Sequence, residues 1–314
     1  MRSRAAWRWL AVMALMAAGP LSGSVRAVVI DLVNAGSTNM SAPADDPGWN
    51  NVGAIGVGGG VYIGYGWVLT ANHVGASDGI TLGGVQYAAI PGTGQRLTNN
   101  GAAGKSALTD LYMFRINTPS VSLPFIQVAP TAPAIGDMVT MIGRGRLQQA
   151  NPTYWDINTS SNPWVWTETT ADLANEAGFK TDATKSMRWG TNMIDDALWI
   201  NAGTGDVFSL ETTFDPQVST NEAQVVNGDS GGAVFVKQAG RWNLAGIIIA
   251  QGLLPQQPGG TSTAAFYNTS YFADLSFYRP QIVALAVPEP ATITQLFAAG
   301  GIGFGVWWRR RRSG

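Results

Sequence analysis

Short apolar runs bounded by Gly, Pro, Asn and Ser recur through the middle of the chain. Val61-Tyr62-Ile63 and Trp67-Val68-Leu69-Thr70 are bracketed by glycines, and residues 111–116, 138–142, 233–236 and 244–249 have the same form. Runs this short, rich in β-branched and aromatic residues, predict the strands of an all-β sandwich or barrel. A doubly wound α/β sheet would place helical patterns of about 10–15 residues between its strands, and these are missing. No internal repeat recurs at a fixed period. Two stretches break the rhythm. Residues 150–200 are polar and carry Trp155, Trp164, Trp166, Trp189 and Trp199, with a short helical candidate at 171–177. They read as an insertion whose tryptophans pack it in place; a substrate or carbohydrate platform is the sharper alternative. Residues 271–285 predict a surface helix broken at Pro280.

The two ends read differently from this body. Arg2, Arg4 and Arg8 precede ten apolar residues, 9–18, and Val25 and Ala27 suit a small-residue cleavage site before Val28. Ten helical residues span about 15 Å, half a bilayer core, so residues 1–27 are expected to be a secretory signal peptide. At the other end Val287-Pro288-Glu289-Pro290 leads into 18 uncharged residues, 291–308, and then Arg309 to Arg312. Eighteen helical residues reach about 27 Å, enough for a thin hydrocarbon core. The arginine block would stay cytoplasmic and leave the body outside. The order Pro-Glu-Pro, apolar helix, arginine cluster over residues 287–314 resembles the bacterial PEP-CTERM sorting signal. That resemblance implies anchoring in the inner membrane through 291–308, processing by an exosortase-type enzyme, and release to the cell surface or beyond; a permanent anchor is the alternative.

Composition narrows the chemistry. The 314 residues allow two domains or one large β-fold. With 46% hydrophobic and 12% charged residues, the chain is too apolar to be disordered. Cysteine is absent, which excludes disulfide scaffolds, zinc ribbons and thiol nucleophiles. A single histidine excludes any metal site built on several imidazoles, and histidine-based acid–base chemistry must use His73. Residues 28–286 hold 11 basic and 19 acidic side chains, a net of −8. Such a body lacks the basic footprint that nucleic acid requires.

Three segments carry candidate chemistry. His73 ends the strand-like Trp67-Val68-Leu69-Thr70-Ala71-Asn72-His73, a rigid place to hold an imidazole. Asp110 precedes the apolar run at 111–116, where it could serve merely as a turn residue. Ser230 lies within Asn227-Gly228-Asp229-Ser230-Gly231-Gly232, where small residues let backbone N–H groups approach a ligand closely. Each segment alone is compatible with an ordinary turn or strand end.

In combination they resemble the chymotrypsin/trypsin-like serine peptidases. Thr70-Ala71-x-His73 is similar to that family's histidine motif, Asp110-Leu111 to its aspartate motif, and Gly228-Asp229-Ser230-Gly231-Gly232 to its serine motif. They also follow the family's order, His then Asp then Ser. The resemblance spans roughly residues 50–285, with Gly143-x-Gly145 at the start of a second barrel and residues 246–252 along the substrate cleft. It implies a double antiparallel β-barrel over residues 28–286, with the site between the barrels. His73, Asp110 and Ser230 would be catalytic, and the N–H groups of Gly228 and Ser230 would form the oxyanion hole. Gln224 and Gly252 would belong to the substrate pocket. Neither metal nor organic cofactor is implied. The partners would be protein or peptide substrates.

The chain also departs from the family. Val74 follows His73 where many members have a bracing cysteine. No Ile-Val-Gly-Gly start is present to supply the new N-terminus that pairs, in the animal branch, with the aspartate matching Asp229. Val28, freed by signal cleavage, is one candidate; an internal donor to Asp229 is the main expectation. A neutral Gln224 argues against a strict Arg/Lys preference. The function implied is an exported serine endopeptidase. The alternatives are a catalytically silent surface or matrix binder on the same fold, and an esterase using the same three residues.

Overall fold

The structure is a computed structural model that describes residues 28–31, 39–117, 122–216 and 221–286. All six apolar runs form strands, since their alternating side chains find a buried face on a sheet. The first sheet has seven antiparallel strands in the order Val85–Tyr87, Ile80–Leu82, Val52–Ile55, Gly58–Gly64, Trp67–Ala71, Leu108–Arg115, Gln95–Thr98. The second also has seven, in the order Arg188–Met193, Met138–Gly143, Ala233–Gln238, Arg241–Gly252, Thr269–Asp274, Asp206–Thr213, Asp196–Asn201. This all-β, antiparallel architecture fits a trypsin-like double β-barrel.

Each sheet has its own core, and a third cluster joins them. Ile55, Val68, Ile80 and Phe114 pack inside the first, and Val139, Leu210, Val234 and Phe272 inside the second. Leu69 and Met113 from the first sheet meet Ile142, Phe235 and Ile247 from the second in the largest cluster. Burying a side chain of this size contributes about 1.5–3 kcal/mol, so this shared core fixes how the two halves face each other.

Much of the segment expected to be an insertion, up to Lys185, joins a further sheet, while its last part, Arg188–Met193 and Asp196–Asn201, belongs to the second seven-stranded sheet. Arg146–Gln148, Glu176–Lys185, Thr153–Asn158 and Val165–Thr169 pair in that order, and Thr263–Ala265 adds to Glu176–Lys185. Trp155 is buried, and Trp166 meets it edge-on at 5.7 Å. Trp199 packs against Phe208 and Phe277. Trp189 donates to the Ser41 carbonyl at 3.0 Å. These tryptophans fill and brace the structure.

Two helix expectations are corrected. Residues 171–177 hold a turn and the start of a strand, because the Asn175 side chain takes up both the N–H (2.8 Å) and the carbonyl (2.9 Å) of Ile157. Residues 271–274 end a strand, and the helix is Leu275–Ala286, capped where Asp274 accepts from the Ser276 N–H at 2.9 Å. Pro280 lies inside this helix without ending it, and Leu275, Tyr278, Ile282 and Ala286 share its buried side. Among the described residues no helix is long and apolar enough to cross a membrane. The expected signal peptide, 1–27, and sorting segment, 287–314, lie outside the described residues.

Candidate active site

His73 sits in the tight turn after Trp67–Ala71, where Val74 and Gly75 both donate to the Ala71 carbonyl at 3.1 Å. Trp67–Ala71 is paired along its length with Leu108–Arg115, and the register sets Ala71 opposite Leu111. Asp110 therefore arrives beside the turn. Its Oδ1 accepts from the His73 backbone N–H at 2.9 Å, and its Oδ2 lies 2.6 Å from His73 Nδ1. One carboxylate thus holds both the loop and the ring. Asp110 is fully buried, whereas the His73 side chain is 33% exposed.

Ser230 comes from the second half. The Gly59 N–H donates to the Ser230 carbonyl at 2.8 Å, and Gly231 donates to the Ile248 carbonyl at 2.8 Å. These bonds tie the serine loop to both sheets. Ser230 and His73 line one cavity of about 340 Å³, together with Gly228. The structure brings them together without closing a Ser230–His73 hydrogen bond, a contact that is often long in unliganded enzymes. Among the described residues, neither the Gly228 nor the Ser230 N–H donates to a protein acceptor. Two adjacent free donors beside a hydroxyl can stabilise an oxyanion.

The far wall of the cavity is made by Val225, Val226, Ile249, Ala250, Gln251 and Thr261. Its lining includes no Asp, Glu, Lys or Arg side chain. The expected pocket residues lie elsewhere. Gln224 is fully buried away from the cavity, donating to the Thr269 carbonyl at 2.8 Å and accepting from Ser270 Oγ at 3.0 Å. It pairs with Val29 in the strand Ala223–Gln224, so it is a core residue. Gly252 is opposite Thr269 and also outside the lining; the wall is carried by the residues just before it.

Asp229 occupies a fully buried recess below the serine loop. Gly143 and Gly145 make room for it, since a Cβ on either would lie 2.1 or 2.5 Å from its carboxyl oxygens. Burial pushes its pKa up to about 7, against the ionised-form preference supplied by the N–H groups of Val226, Gly145 and Val28 and by Lys185. Val226 bonds Oδ2 at 2.8 Å, while Oδ1 has no partner of good geometry. A buried oxygen left in this state costs about 1–3 kcal/mol.

Val28, beside Asp229, is itself fully buried and adopts φ = +36°. That conformation is strained for a β-branched residue. The segment it begins is latched in place: Gln148 bonds both the N–H (2.9 Å) and the carbonyl (2.8 Å) of Ile30, and Arg188 donates to the Val28 carbonyl at 2.9 Å. This latch is invisible to motif reading, because residues 28, 148 and 188 are remote in sequence. Lys185, against the cavity lining, was also not singled out by sequence. Among the described residues no group of three or more His, Asp or Glu converges to hold a metal.

Comparison with known proteins returned few sequence matches. No curated protein matches the chain. Among solved structures, the NS6 protease of murine norovirus 1 is similar at 15% identity and a TM-score of 0.36, covering 74% of this chain and 93% of its own. The Rv3671c protease of M. tuberculosis in its active form is similar at 14% identity and a TM-score of 0.40, covering 74% of each chain. The HtrA-type protease AlgW is similar at 19% identity and a TM-score of 0.38, covering 73% of this chain and 51% of its own. The family model described as Trypsin matches residues 42–186, the part of the chain that carries His73 and Asp110.

Proposed function

We propose that the chain is an exported serine endopeptidase in which His73, Asp110 and Ser230 act as one unit. The observation that carries this reading is the two-point hold of Asp110 on His73 at a cavity shared with Ser230. Neutral His73 would take the proton of the Ser230 hydroxyl as its oxygen attacks the scissile carbonyl. Asp110 keeps the Nδ1 proton in place, which leaves Nε2 free to act as the base, and it stabilises the imidazolium that forms. The Gly228 and Ser230 N–H groups would bind the oxyanion, worth about 10²–10³ in rate for each donor. His73 then returns the proton to the leaving amine, and water hydrolyses the acyl-enzyme by the same steps. The uncharged wall at Val225, Val226 and Ile249 supports cleavage after uncharged residues.

The buried, under-satisfied Asp229 and the latched Val28 support activation at the N-terminus. Cutting before Val28 would remove the peptide bond that its φ strains and place an ammonium beside the carboxylate. Export through residues 1–27, and anchoring through 291–308 until an exosortase-type enzyme acts, complete the proposal. The test is turnover of an unfolded protein by His73→Ala, Ser230→Ala and the double variant. Each single change is expected to remove nearly all activity, with the double scarcely worse; additive losses would refute a concerted unit.

A further inference from the structure

Lys185 ends the strand Glu176–Lys185 and, without itself lining the cavity, lies against two residues that do, Val57 and Gly228. Its ammonium donates to the Val57 carbonyl, and a Cβ built on Gly228 would lie 2.9 Å from its Nζ. Val57, Gly58 and Val74 line the cavity with His73, and a Cβ on Gly58 would lie 2.7 Å from Val74 and 2.8 Å from the Ser230 carbonyl oxygen, which sets this strand edge beside the His73 turn and the serine. His73 must hand its proton to the departing amine, so this is the side on which the leaving peptide sits. A peptide leaving past Val57 and Gly58 would therefore pass close to Lys185.

The charge here is only partly compensated. Register places Arg146 directly opposite Lys185, and Arg144 lies two residues earlier. Like charges across a strand pair are destabilising, and desolvation together with Arg144 and Arg146 pulls the Lys185 pKa below its usual value. Among the described residues, none of the three is in an ion pair. The carboxylate that acts on Lys185 is Asp229, itself buried and held by backbone N–H groups. Arg146 Nε is buried without a partner. In a body carrying net −8, Lys185 stands against the cavity lining with two further cations, Arg144 and Arg146, near it and no ion pair to any of the three among the described residues.

We propose that Lys185, with Arg144 and Arg146 behind it, selects substrates that carry Asp or Glu within two residues after the scissile bond. This rests on the peptidase reading. On binding, Lys185 would exchange a carbonyl for a carboxylate, a charge-assisted and stronger hydrogen bond.

The test uses the chain beginning at Val28 and peptides identical except for Glu, Gln or Lys at the second position after the cleaved bond. The readout is the ratio of kcat/KM for the Glu peptide to that for the Gln peptide, taken within each enzyme so that general losses cancel. The expected ratio is about 10 at low salt, falling as salt screens the contact, with the Lys peptide poorest. Lys185→Met should bring the ratio near 1 and Lys185→Glu should invert it, while the distant Lys105→Met keeps it. A ratio below 2 in the unaltered enzyme, or one preserved in Lys185→Met, overturns the inference and leaves the peptidase reading intact. Failure to cleave any peptide or to take up a serine-directed label would overturn both.

Discussion

Retaining even a few residues ahead of Val28 should change how stability depends on pH. In such a chain Asp229 is buried without an ion pair, Lys185 being a lesser influence than burial, and its folded pKa of about 7 lies well above the ordinary 3.8. At about 1.4 kcal/mol for each tenfold in the proton equilibrium, this displacement corresponds to about 4 kcal/mol. That is a large share of the ~5–15 kcal/mol stability of a typical protein. The sign follows from linkage. The folded state holds this proton more tightly than the unfolded one, so stability falls as pH rises from about 4 and the loss is complete above about 7. In a chain that begins at Val28, the α-ammonium faces the carboxylate and keeps it ionised, so the fall across that window disappears. The ammonium's own folded pKa is raised above its usual ~7.8. Its contribution is therefore present at neutral pH and lost only as pH climbs through the raised value. Urea unfolding of both chains between pH 4.5 and 9 measures this directly, and contributions common to both, such as the His73–Asp110 pair, cancel. Asp229→Asn in the extended chain should flatten its profile. Identical profiles for the two chains would refute the pairing of Val28 with Asp229.

Asp110→Asn should fold normally yet lose about 10⁴ in kcat, because the amide favours the wrong imidazole tautomer. The matched control is Asp137→Asn, which touches only a turn through the Ala134 N–H. Equal, small losses in both variants, measured at comparable stability, would make Asp110 a turn residue. Deleting 287–314 should yield a folded domain whose melting temperature matches that of the longer chain, since the two sheets and their shared core lie within 28–286. In cells, intact chain should fractionate with the inner membrane first and later appear shortened near residues 287–291; a mature product retaining Arg309 to Arg312 would favour a permanent anchor.

The strands were legible because runs such as 138–142 and 244–249 combine β-branched residues with turn signals on both sides. What failed in sequence reading failed for local physical reasons. Asn175 breaks the helical pattern at 171–177 by bonding across to Ile157, a partner 18 residues away. Pro280 is accommodated within Leu275–Ala286, whose buried residues hold the helix against the core. The family resemblance puts Gln224, six residues before Ser230, in the pocket. Distance along the chain does not say which way a residue faces, and its neighbours Val225 and Val226 line the cavity instead. His73, Asp110 and Ser230 stand out in the sequence because their three short segments, ordinary one by one, resemble one family's motifs in combination and in order. The cluster of Val28, Gln148, Arg188 and Asp229 has no such signature, and neither does Lys185 beside Gly228. These residues are brought together only by the packing of the second half of the chain and its added sheet.

The central claim is that the cavity contains an activated serine. It is tested most directly by reacting the folded chain with a fluorophosphonate probe and mapping the adduct by mass spectrometry. The expected result is a single adduct on Ser230, lost in His73→Ala although Ser230 is still present. Folded protein that takes up no label, or that is labelled at another residue, would contradict it.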